Sequence, residues 1–75
     1  MNKIALMDYM LLCNWDDEIL ADLIGIPTSI LRMWINGEAE PNQNTIYRVA
    51  GWISVKLNLK QDEVFNKITR SENGR

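Results

Sequence analysis

Leu20 to Pro41, LADLIGIPTSILRMWINGEAEP, constrains the fold more than any other stretch of this chain. Leu20, Ala21 and Ile24 form an apolar face at helical spacing before Gly25, and Ile26, Leu31 and Trp34 form another after it. Glycine supplies the positive φ that ends a helix, and a proline such as Pro27 suits a helix start because no backbone donor is needed there. Two short helices closing across a tight turn onto one small core are therefore expected. The second should run from about Thr28 to Ile35, with Asn36 and Gly37 stopping it. Leu31 and Trp34 then point inward, leaving Thr28, Ser29, Arg32 and Met33 outside.

The flanking sequence supplies three more helices. The first covers about Lys3 to Leu12, with Ile4, Met7 and Leu11 on one stripe and Leu6, Tyr9, Met10 and Cys13 making most other faces apolar. So apolar a helix needs cover on more than one side. Either Tyr9 and Met10 lie under the C-terminal helix, or part of the surface meets a subunit or partner. Asp8 interrupts the run, which is far shorter than the roughly 20 apolar residues a bilayer requires, so a buried helix is expected. Asn14 or Asp16 caps the next helix, placing Asp16, Asp17 and Glu18 in its first turn. That acidic triplet lacks the alternating ligands and glycine of a calcium loop and reads as a solvated helix start. Ile19 and Leu23 widen the apolar stripe, either packing on the first helix or facing a partner.

After Pro41 a strong helical period, Ile46, Val49, Ala50, Ile53 and Leu57, predicts a helix over about Asn44 to Leu57. Trp52, Val55 and Leu59 form a second stripe. Gly51 points to close packing, and Tyr47 and Trp52 read as ordinary core ahead of the alternative, aromatics that meet a partner. The last helix should cover Gln61 to Thr69, burying Val64, Phe65 and Ile68, with Asp62 and Glu63 at its start and Lys67 and Arg70 near its end. The expected fold is all-α, about five short helices in a compact bundle. It forms one domain over residues 1–70 with a flexible tail over residues 71–75.

Charge is divided unevenly. Residues 1–40 hold two basic and seven acidic side chains, a net of −5, whereas residues 41–75 hold six basic and three acidic, a net of +3. The acidic half contains the paired helices. The single cysteine, Cys13, cannot close an internal disulfide, which suits a reducing, cytoplasmic compartment. With no histidine, no glycine-rich phosphate loop and no metal-ligand spacing, the sequence gives enzyme chemistry no foothold and calls for no cofactor or metal.

The run L-A-x-x-I-G-I-P-x-S-x-L-x-x-W-x-N-G-x-x-x-P resembles the Cro/C1-type helix-turn-helix family of phage repressors and related bacterial regulators. It is carried by Leu20, Ala21, Ile24, Gly25, Ile26, Pro27, Ser29, Leu31, Trp34, Asn36, Gly37 and Pro41. The resemblance extends more loosely over about Ile4 to Phe65. It implies a lambda-repressor-like bundle whose third helix lies in the DNA major groove and whose dimers read paired half-sites. Carried over by position, Thr28, Ser29, Arg32 and Met33 face bases and Asn36 contacts a phosphate. Family dimers use the C-terminal region, which nominates Trp52, Val55, Leu59, Phe65 and Ile68 as the interface.

Several outward positions depart from that pattern. Asp17 stands where a phosphate-binding glutamine is usual, and Glu38, Ala39 and Glu40 replace a basic loop. Ile30 and Ile35 put apolar groups where polar ones are common. Two functions follow. One is a sequence-specific DNA-binding transcriptional regulator, dimeric in the family manner, with double-stranded DNA as its partner. The other is a protein-interaction module that keeps the scaffold but has lost DNA because its face is acidic.

Overall fold

The computed structural model describes residues 1–70, and the tail expected over residues 71–75 lies outside them. Five helices follow in order: α1 (Lys3–Cys13), α2 (Asp17–Ile24), α3 (Thr28–Ile35), α4 (Gln43–Leu57) and α5 (Gln61–Thr69). There is no strand among the described residues. The expected bounds of α3 and α5 match, α1 extends one residue further, and α4 starts one residue earlier.

The helix ends follow local chemistry. The Asn2 side chain accepts from the Ala5 amide (3.0 Å), Asp16 from Ile19 (2.9 Å) and Asn42 from Thr45 (2.8 Å). Each bond satisfies an amide that a helix start leaves without a partner. Asp16 is thus the cap of α2. Asn14 instead ends α1 in the left-handed region at φ 60°. Gly25 ends α2 at φ 75°, with no atom within 4 Å of where a Cβ would stand. Backbone conformation, not crowding, therefore favours glycine there.

The long helix α4 lies against α5, α1 and α2, and α1 also meets α3 and α5. Leu6, Leu20, Ile24, Leu31, Ile53, Val64 and Ile68 are the largest fully buried side chains, drawn from all five helices. Burying each contributes about 1.5–3 kcal/mol before conformational entropy is counted. Tyr9 and Met10 are in this core, so that part of α1 is covered by the chain itself. Gly51 marks a close approach, since a Cβ there would stand 2.8 Å from the Gln61 amide nitrogen. That amide donates to the Tyr47 carbonyl (2.8 Å), tying α5 to α4.

Two expectations change. Ile68 is 0% exposed, packed between helices, and is not available to a dimer interface. Tyr47 and Trp52 are 43% and 42% exposed, because each flanks the Ile46/Val49/Ala50/Ile53 stripe of α4 and is not on it. Tyr47 packs edge-on against half-buried Phe65 (5.4 Å between centroids) and its hydroxyl donates to Asp62 (3.3 Å). On α1, whose covered side the sequence left open, Ile4, Met7 and Leu11 point outward, opposite the buried Leu6, Tyr9, Met10 and Cys13.

Candidate nucleic-acid interface

The α2–turn–α3 unit is fixed from inside. Leu20, Ala21 and Ile24 of α2 and Leu31 of α3 are at most 1% exposed, and Trp34 closes the end of α3. Ile26 is half-buried beneath the turn and its amide donates to the Ala21 carbonyl (3.0 Å). After α3, the Gly37 amide donates to Trp34 (3.2 Å) and the Glu38 amide to Met33 (2.8 Å), turning the chain sharply toward α4.

This packing presents the opposite side of α3 to solvent. Ser29, Arg32, Met33 and Asn36 are all exposed, and their spacing places them along one stripe. Thr28, in the first turn, is half-buried beside it. The structure therefore brings together four of the five candidate base and phosphate contacts on one face, with Thr28 at its edge. Ile30 flanks this face at 38% exposure, adding an apolar margin.

Electrostatics reshape the face. The Arg32 Nε donates to Asp17 Oδ2 at 3.2 Å, so the acidic residue at the start of α2 and the cation of α3 are paired across the motif. Both side chains are more than a third exposed, and such a pair is worth about 0–1 kcal/mol. It holds Arg32 in place loosely enough for a phosphate or guanine to take the guanidinium over. Glu40 of the following loop pairs with the α-amino group of Met1. Glu38 is exposed, and no salt bridge to it forms among the described residues.

Two basic residues of the C-terminal half, Arg48 and Lys56, are engaged elsewhere. Arg48 Nη2 donates to the Ile24 carbonyl (2.9 Å), satisfying an acceptor that the end of α2 leaves open and bracing α2 on α4. Lys56 lies near the far end of α4, close enough to Cys13 to oppose the effect of burial, which pushes that thiol up. Sequence patterning did not reveal either role. The Arg32–Asp17 pair had a signal, opposite charges on the first turn of α2 and the outer side of α3, but its formation depended on the crossing of the two helices.

A family model described as helix-turn-helix matches residues 6–51, more than half of the chain. The chain belongs to the Cro/C1-type helix-turn-helix family. This is a DNA-binding regulatory family, in agreement with the all-α fold and the resemblance carried by Leu20 to Pro41. No curated protein and no solved structure matches the chain. Among the described residues, no helix is long and apolar enough to cross a membrane and no cluster of potential metal ligands occurs.

Proposed function

We propose that this family member is a sequence-specific, cytoplasmic transcriptional regulator that reads double-stranded DNA as a homodimer by placing α3 in the major groove. The observation that carries this reading is the outward stripe of Ser29, Arg32, Met33 and Asn36 on a helix whose other side is locked by Leu31 and Trp34. A rigidly seated helix with a polar outer stripe presents its side chains to base edges in a defined register. Arg32 is the principal reader, exchanging Asp17 for guanine or a phosphate. Thr28 and Ser29 donate to or accept from bases, Met33 contacts a thymine methyl, and Asn36 bonds a phosphate.

The acidic start of α2 and the acidic loop reduce counterion release, so non-specific affinity is low and two subunits share the energetic load. The dimer surface is the exposed α4–α5 flank of Trp52, Val55 and Leu59, with Phe65 at its edge.

The test begins with selection of bound sequences from a random DNA pool, followed by gel shifts at fixed salt. Arg32→Ala is expected to abolish specific binding, a loss of at least about 10- to 100-fold for a guanine contact. Unchanged binding by that variant sinks the proposed readout, and failure of any sequence to enrich sinks DNA recognition altogether.

A further inference from the structure

The outward face of α1 is not used by the DNA reading. Ile4, Met7 and Leu11 are 59%, 45% and 79% exposed and form one stripe, with Leu12 beside it at 68%. The stripe spans about 10 Å along the helix, the reach of two turns. It continues into a groove of about 350 Å³ floored by Met7, Met10, Leu11, Trp15 and Ile35, with the carboxylates of Asp16 and Asp17 at one end. Ile35 lines this groove from α3. A polar group at that position would break the apolar floor.

Charge selects the occupant. Beside the stripe and its groove stand the carboxylates of Asp8, Asp16 and Asp17, the last already paired with Arg32, and Lys3 is the one cation of α1. A second copy seated two-fold on the stripe would bring Asp8 toward Asp8 and face like charge with like charge along the rim. A helix with an apolar side and flanking lysines or arginines meets both features. Its apolar anchors enter the methionine-lined groove, which adapts to their shape, and its cations reach the carboxylates. We infer that the α1 face is a docking surface for a cationic amphipathic helix of another protein.

The probe is a fluorescein-labelled leucine/lysine amphipathic helix of about four turns, titrated into the full chain with amide chemical shifts followed in parallel. Saturable binding that shifts α1 and the Trp15–Asp17 segment is expected. A peptide of the same composition with its apolar stripe scrambled, and a leucine/glutamate counterpart, should each bind at least about tenfold more weakly. Leu11→Gln and Asp8→Lys, both at exposed sites, should weaken the leucine/lysine peptide by a similar factor. Equal binding of the scrambled peptide, shifts confined to α4 and α5, no saturable binding, or indifference to both substitutions overturns the inference. So does a dimer that becomes monomeric with Leu11→Gln in sedimentation, because a second copy would then cover the face. Leu11→Gln leaves α3 intact and should keep its gel shift, so failure of docking and failure of DNA recognition give different results.

Discussion

The two sides of the helix-turn-helix unit obey different rules. The inner side, Leu20, Ala21, Ile24, Leu31 and Trp34, is apolar and nearly closed to water. The outer side carries one cation, Arg32, held by Asp17, and leads into a loop with Glu38 and Glu40. Burial constrains the first side strongly, because any loss of volume there leaves a cavity in a close-packed core. Solvent constrains the second side weakly, so its residues are free to vary with the ligand. Family membership is therefore written on the inside of the unit and at its turns, Gly25, Pro27 and Asn36–Gly37, and the terms of binding on the outer face of α3 and the acidic loop.

Substitutions can test how separate the two sides are. Leu31→Ala should produce the largest effect, lowering stability by about 3 kcal/mol in urea denaturation. The molecules that remain folded should select the same DNA sequences, and an altered selection would show that the sides are coupled. Arg48→Ala removes the donor that caps the Ile24 carbonyl and braces α2 on α4, a loss of about 1–2 kcal/mol. Here a stability loss without a change in the salt dependence of DNA binding is expected. A shallower salt slope would instead mean that Arg48 touches phosphate.

Asp17→Gln acts on the outer side. It removes a carboxylate near the phosphates and releases Arg32, and DNA affinity should rise about fivefold at low salt, near 1 kcal/mol. Stability should fall by no more than about 0.5–1 kcal/mol, from the lost interaction with the α2 dipole. Weaker DNA binding by this variant would mean that Asp17 positions Arg32 and does not restrain it.

The smallest effect concerns Cys13. Its burial raises the thiol above its ordinary value of 9.0, with nearby Lys56 opposing. The unfolded chain therefore gives up this proton at lower pH than the folded one. The contribution is present in full below the unfolded value and is lost as pH climbs from there through the folded value. The stability advantage of the native chain over Cys13→Ala should shrink above about pH 9 in denaturation curves. A constant difference up to pH 11 would remove the burial argument.

Much of the fold was legible in the residues because helical periodicity and helix-end chemistry are local. The bounds of α3 and α5 followed from Pro27, Asn36–Gly37 and the charge placement in Gln61–Thr69. The stripe on α3 was legible too, since fixing Leu31 and Trp34 inside leaves Ser29, Arg32 and Met33 outside. The side of α1 was not legible, because apolar residues surround most of it and periodicity alone does not say which are covered. Tyr47, Trp52 and Ile68 were misplaced for a related reason. An aromatic beside a core stripe looks like core in one dimension, and a residue on a terminal helix looks available until its neighbours are in place.

The sequence by itself determined that Leu20 to Pro41 forms two helices closed on a shared apolar face, and that their outer surface is rich in carboxylates. The physical cause is short-range: spacing, the left-handed turn at Gly25 and the missing amide donor of Pro27 act within a few residues. Only the tertiary structure decided which charges meet. It set Arg32 on Asp17 and Arg48 on the Ile24 carbonyl, partners 15 and 24 residues apart. It also left Ile4, Met7 and Leu11 in water while burying Ile68. Those outcomes depend on how helices cross, and crossing is settled by packing among all five helices at once.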